Sequence, residues 1–251
     1  LPELREQQAA LAKKYGIEGF VYWHYWFGGG KRLLERPFSE VVESKSPDFP
    51  FCLAWANQTW SGVWHGCPDR ILVKQVYPGE SDVKDHFYPL LSAFKDPRYI
   101  KIKGRNIFCI FCPSELYEAN RFMEIWRDLA RRESAPDFHF VAIHNQPWSR
   151  LSANYDSFTT NPPCAWHSSQ TRIRRINLNG KVHELRSEGP FVLSYREYVE
   201  KSLSFFSSED KFFPCVVPNW DNTPRTRLNG FVYIGSTPSL YERHLSDAIN
   251  L

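Results

Sequence analysis

Methionine occurs once in the 251 residues, and no apolar run approaches the roughly 18 residues a membrane span needs. The chain therefore offers no membrane-spanning segment. It opens on the polar helical stretch Leu4–Lys14, which does not read as a secretory leader. Charge of one sign is also scarce. The formal net charge is +3, too small a field to draw nucleic acid or anionic lipid. No Gly-x-Gly-x-x-Gly follows the first strand, so an open sheet binding a dinucleotide loses its main signature. No low-complexity tract or fixed-period repeat is present. Cysteine is sparse, with six residues at 52, 67, 109, 112, 164 and 215. Cys109 and Cys112 have the spacing of a zinc pair, but on a strand that spacing sends the side chains to opposite faces. Inert buried thiols or a reducing compartment fit better than a disulfide framework, and the cytoplasm is the favoured location. No cofactor motif is present, and nothing in the residues names a protein partner.

Aromatic residues are abundant instead, at 16% of the chain, with nine Trp and twelve Tyr. These rings combine a flat apolar face with a polar handle, the pairing that sugar C–H faces and hydroxyls require. On composition alone a core rich in aromatics is the better account, so position has to decide.

Helical and strand periods alternate along the chain. A helix over Leu4–Lys14 ends at Gly16. A buried strand follows at Ile17–Phe27, then a short helix marked by Phe38, Val41 and Val42. A second strand at Phe51–Asn57 leads into a long loop, Gln58–Gly79. Asp82–Phe94 reads as a helix despite Pro89. Further strands are expected at Asn106–Cys112, Phe138–His144, Ser157–Asn161 and Phe213–Val217. Helices are expected at Pro113–Arg132 and Tyr195–Phe206, and a last one is capped by Thr237 and Pro238. Asn179-Gly180, between alternating runs in Arg172–Leu185, signals a hairpin insertion. Strand–helix alternation implies a mainly parallel α/β sheet with right-handed crossovers. Either an open sheet or a (β/α)8 TIM-type barrel satisfies it. The barrel would be incomplete, with about six βα units in one domain over residues 1–251 and one strand beyond each end.

In a barrel the site lies at the carboxyl ends of the strands. Five of the six expected strands finish in Trp or Tyr beside Asn, Gln, His or Asp. Tyr22, Trp23, His24 and Tyr25 close the first; Trp55, Asn57, Gln58 and Trp60 close the second, with Trp64 just behind. His144, Asn145 and Trp148 close the fourth; Asn161 closes the fifth, with Trp166 and His167 just behind; Asn219, Trp220 and Asp221 close the sixth. Eight of the nine Trp lie at or just past strand ends, whereas a purely structural role would scatter them over strands and helices. The ligand expected is a glycan, with Trp23, Trp55, Trp148 and Trp220 sharing a rim. Asn and Gln suit it because one amide both donates and accepts. His24 is either a substrate contact or a hydrogen-bonded core histidine. His65 and His144 lack a third ligand at fixed spacing, so no metal is expected. Asp221 is the only carboxylate directly at a strand end, and it equally suits a turn-fixing role. Gly28-Gly29-Gly30-Lys31 lacks Walker spacing and reads as a turn. The two carboxyls that glycoside hydrolysis commonly needs are not both at these strand ends.

Several motifs in order resemble the WbsX family: Tyr15–Phe20, Tyr22–Phe27, Lys31–Pro37, Pro47–Asn57, Phe94–Ile100 and Pro218–Arg225. Members are often labelled glycosyltransferases of lipopolysaccharide O-antigen clusters, and their fold is similar to glycoside hydrolase family 99. The resemblance thus implies the (β/α)8 barrel. It places the main catalytic acids beyond Leu251, in a last strand bearing an Asn-Glu-Trp type motif. It also implies a hydrolytic route in which the sugar's own 2-hydroxyl attacks, giving a 1,2-anhydro sugar. Where the family usually has Ala-Asn-Glu, this chain has Ala56-Asn57-Gln58; Gln58 keeps the shape without the charge. Hydrolase, glycosyltransferase and non-catalytic glycan binder are the three readings that follow.

Overall fold

The computed structural model describes residues 1–62, 67–143, 153–160, 173–178, 181–186, 189–203, 211–226, 228 and 230–251. They divide into two compact units, residues 1–60 with 72–158, and residues 61–71 with 159–251. Each unit is taken by itself.

The first unit begins with α1 (Pro2–Lys14), which has proline in its first turn and Lys13 and Lys14 in its last. Gly16 then turns the chain at φ +76°. Strand β1 (Phe20–His24), helix α2 (Arg36–Ser44) and strand β2 (Phe51–Trp55) follow, and the two strands pair in parallel from Phe20↔Phe51 to His24↔Trp55. The long loop expected after β2 contains two short paired strands, β3 (Trp60–Gly62) and β4 (Cys67–Val73), of which residues 61–71 belong to the second unit. The helix expected over Asp82–Phe94 is broken. It runs as α3 (Glu80–Phe87), a 3-10 turn at Tyr88–Leu90 and α4 (Leu91–Phe94). Pro89 lies in the break, where its missing N–H and its ring rule out continuous α-helix. β5 (Lys101–Ile102) turns back antiparallel onto β6 (Arg105–Ile110). Pro113–Glu115 forms a separate 3-10 turn, so α5 starts later than expected, at Ala119–Arg132. β7 (Phe138–Ile143) and β8 (Ser157–Thr159) complete the order β1-β2-β6-β7-β8. β2/β6 and β6/β7 are parallel, as β1/β2 is.

Strand alternation divides this sheet into two faces. Phe51, Leu53, Trp55, Phe108, Ile110, Phe138 and Phe140 pack with the apolar sides of α2 to α5 in the main core. Ala54, Cys109 and Val141 form a smaller cluster apart from the helices. Asp96 and Arg98 bind the resemblance motif Phe94–Ile100 into this core. Arg98 bonds both Asp96 oxygens and donates to the carbonyls of Pro47 and Val41. Burial alone would raise the Asp96 carboxyl, but the Arg98 guanidinium and backbone N–H, with Lys45, hold it below the usual range.

The second unit contains the expected hairpin, β9 (Ile173–Leu178) antiparallel to β10 (Lys181–Arg186). It also contains a pair that the residue pattern did not suggest, β11 (Phe191–Ser194) parallel to β13 (Phe231–Ile234). Between them lie α6 (Tyr195–Lys201), β12 (Phe212–Phe213) and a helical turn at Thr223–Thr226. The strand expected over Phe213–Val217 is thus corrected to two residues. Tyr195, Tyr198, Val199, Leu193, Tyr233 and Leu240 form the core of this unit. The last helix, α7 (Pro238–Ile249), begins at the expected cap, with Thr237 Oγ1 accepting the Leu240 N–H at 3.2 Å.

Candidate functional site

The carboxyl ends of β1 and β2 carry a shelf of aromatic rings. Trp60 stands edge-on to both Tyr25 and Phe27, with each pair of ring centres 5.2 Å apart. Trp23 is 46% exposed and meets Phe111 edge-on at 5.2 Å. Such perpendicular contacts satisfy the ring quadrupoles and fix the orientation of each plane. Gln58 is exposed beside them, its backbone N–H bonded to the Ala56 carbonyl at 2.9 Å.

Beneath the shelf, the loops are clamped by amides. Asn57 is 0% exposed; its Nδ2 donates to Tyr77 Oη at 3.0 Å and to the Cys112 carbonyl at 2.9 Å. Its Oδ1 accepts the Cys112 N–H at 2.8 Å. Asn57 therefore ties the loop after β2 to the loop after β6, and its complete burial closes it to a ligand. Thr59 Oγ1 accepts the Gln75 N–H at 3.1 Å, and the Phe27 carbonyl accepts the Val76 N–H at 3.0 Å. Gln75 Oε1 is buried with no partner among the described residues. The glycine turn is ordered by similar means. The Gly29 N–H bonds Asp82 Oδ1 at 2.7 Å, and a Cβ on Gly28 would lie 2.4 Å from the Val76 carbonyl oxygen.

Three of the expected contacts face the helices instead. Tyr22 packs on Phe38 of α2 and Phe51 of β2. His24, 5% exposed, lies with its Nε2 2.8 Å from His86 Nε2. Burial, then the nearby Arg32 charge, pushes His24 down to about 3; burial likewise holds His86 well below its ordinary value. Both rings are therefore neutral near pH 7, one donating to the other. Trp55, 2% exposed, stacks on Phe122 and donates from Nε1 to the Trp26 carbonyl at 2.9 Å. The physical reason is the two-residue period of a strand: Tyr22 and His24 take one face and Trp23 the other, so a consecutive run cannot all meet one ligand.

In the second unit, Trp220 is partly exposed and stacks on Phe231 at 6.1 Å. Asn219 Oδ1 accepts the Trp220 N–H. Asp221 is exposed, and its Oδ1 accepts from the Thr223 N–H at 2.8 Å and hydroxyl at 2.7 Å. Those two bonds hold its carboxyl below the ordinary value, so it stands ionised and is unsuited to donate a proton. Trp64, His144, Asn145 and Trp148 lie outside the described residues, as do His65 and Trp166.

A second cluster, at the amino ends of the strands, superficially resembles a nucleophile with its base. His139 Nε2 is 2.8 Å from Ser157 Oγ. Arg105 Nη2 is 3.0 Å from His139 Nδ1 and can only donate. The ring proton therefore sits on Nε2 and points at the serine, the reverse of what activates a hydroxyl. Gln75, Tyr77 and Phe111 escaped notice in the sequence because two lie in a long loop and the third closes a strand without a polar neighbour.

The family model described as Glycosyltransferase WbsX matches residues 1–251. Two curated relatives, both named uncharacterized protein WxcX, come from Xanthomonas campestris pv. campestris strains B100 and ATCC 33913. They are 27% identical over 255 and 251 residues, and each match covers 99% of this chain. The chain spans 35% of the length of either relative. Among solved structures, one titled glycoside hydrolase-like protein aligns with a TM-score of 0.59 at 12% identity, over 99% of this chain and 72% of its own. A GH99 endo-alpha-mannosidase from Bacteroides thetaiotaomicron aligns at 0.54 and 14% identity, over 100% and 64%. At these identities the likeness concerns the fold.

Proposed function

Because the chain belongs to the WbsX family, we propose that it forms part of a carbohydrate-active (β/α) barrel that cleaves a polysaccharide or O-antigen-like glycan. The shelf of Trp60 against Tyr25 and Phe27, with Trp23 half exposed at the same end of the sheet, carries this reading. Sugar rings stack on the accessible faces of Tyr25, Trp60 and Trp23, with buried Phe27 as their support, and exposed Gln58 both donates to and accepts from their hydroxyls. Gln58 is neutral and moves no proton. Asp221, ionised, acts as a base or hydrogen-bond acceptor. Trp64, His144, Asn145 and Trp148 are further glycan contacts proposed from their sequence positions alone, Asn219 and Trp220 are contacts proposed for the second unit, and Asn57 positions the loop.

The neighbour titled endo-alpha-mannosidase makes α-mannans the first substrates to try. Full-length protein is incubated with bacterial polysaccharides and yeast mannan, with and without nucleotide sugars. Saccharide released without a donor is the expected result. Trp60→Ala should weaken glycan binding about tenfold, roughly 1.4 kcal/mol. A transferase reading is favoured by the family's description, and turnover only with a nucleotide sugar would establish it in place of hydrolysis. Saturable binding without turnover would leave a glycan-binding barrel.

A further inference from the structure

The first unit also contains a cavity of about 260 Å³ that none of the shelf rings lines, between the loop leading into α3 and the loop leading into α5. Its floor is apolar, formed by Leu116, Phe122 and Ile125, all buried. Tyr117 stands at its mouth and is 90% exposed. Glu80 and Arg121 also border it and pair at 2.6 Å, each about half exposed. A carboxylate that accepts, a guanidinium that donates and an open tyrosine face over an apolar floor match a ring with C–H faces and hydroxyl edges. The volume lies just below the roughly 300–1,000 Å³ of drug-sized sites, which suits one sugar ring.

We propose that this cavity is a second saccharide site, with Tyr117 as its stacking platform and the Glu80–Arg121 pair as its hydroxyl partner. The proposal rests on the glycan reading of the aromatic shelf. Glu118 and Asp82 add negative charge to the lining, so neutral sugars are favoured over uronic acids. Asn57 and Tyr77 connect the two places: Asn57 anchors the loop after β2, and Tyr77, bonded to it, also borders the cavity. A polymer long enough to engage both sites gains avidity that a short oligosaccharide cannot.

The test uses the full-length protein with neutral polysaccharides (yeast α-mannan, dextran, glycogen), their trisaccharides, and polygalacturonate as the acidic counterpart. Tyr117→Ala should weaken polymer binding about tenfold and remove the weaker of two trisaccharide-binding events, while leaving the affinity of the shelf for trisaccharide and the melting temperature unchanged. Trp60→Ala should weaken both ligands. If Tyr117→Ala binds polymer as the wild type does while Trp60→Ala does not, the second site is overturned and the shelf stands. If Tyr117→Ala weakens trisaccharide binding at the shelf equally, the cavity belongs to the first site and the proposal also fails. Polygalacturonate binding as tightly as the neutral polymers overturns the neutral-sugar assignment. A wild type that binds no saccharide overturns the shelf and the cavity together.

Discussion

At the scale of single residues, charge and burial decide more than residue type. Asp96 and Arg98 show side-chain exposures of 0% and 7%, so neither finds water if its partner is lost. Asp96→Ala is expected to destabilise the fold by about 3–5 kcal/mol, because it leaves the guanidinium buried and uncompensated. Urea unfolding would measure this, and a loss under about 1 kcal/mol would mean that the carbonyls of Pro47 and Val41 suffice. The His24–His86 pair makes the opposite kind of prediction. Both are neutral when folded and titrate near 6.5 when unfolded, so the unfolded chain binds more protons below that pH. Stability should be full above about pH 6.5 and fall as pH drops toward 3. Urea midpoints between pH 7 and 5 should show this slope, and His24→Leu/His86→Leu should flatten it.

At the scale of elements, α5 is the clearest case of a pattern doing what its period implies. Phe122, Ile125, Trp126 and Leu129 fall on one face and are all buried. Trp126, 0% exposed, touches the rings of Phe87, Phe94, Phe108 and Phe138 and donates Nε1 to the Val83 carbonyl at 3.0 Å. Trp126→Ala should cost about 3–5 kcal/mol, read as an earlier denaturant midpoint with an unchanged slope. The strands were legible where apolar and aromatic residues ran between breakers or polar loops, as at Phe51–Trp55 and Phe138–Ile143. β11 and β13 were not, because four residues carry too few alternations to establish a period and their pairing is with each other across a long separation.

For the whole molecule, cysteine chemistry tests burial at several points at once. Cys67 is exposed, Cys52 and Cys109 are buried, and Cys112 and Cys215 are intermediate. Burial pushes the Cys112 thiol up to about 12 and Cys215 up to about 11, while Cys109 is raised well above its ordinary value by its bond to Cys52 and by burial. Thiolate is therefore scarce at neutral pH at Cys109, Cys112 and Cys215. A disulfide reagent should modify Cys67 quickly and reach Cys52 and Cys109 only in denaturant. Cys67→Ser should remove one equivalent from the fast phase, and rapid labelling of Cys52 in native protein would contradict the packing of β2.

Local pattern alone determined the alternation of strands and helices, the hairpin within residues 172–185 and the cap at Thr237. Those depend on short-range propensity, backbone capping and a two- or 3.6-residue period, all present in neighbouring residues. Which ring faces which way was decided only by tertiary structure. Trp55 and Trp60 lie five residues apart in similar company, yet the pleat of β2 turns Trp55 into the helix layer, and the contact with Tyr25 and Phe27 holds Trp60 at the shelf. Asn57 likewise looked like a ligand contact until its partners at Tyr77 and Cys112, 20 and 55 residues away, took up its amide. A side chain's partner across such distances depends on how the loops meet, and no local period encodes that.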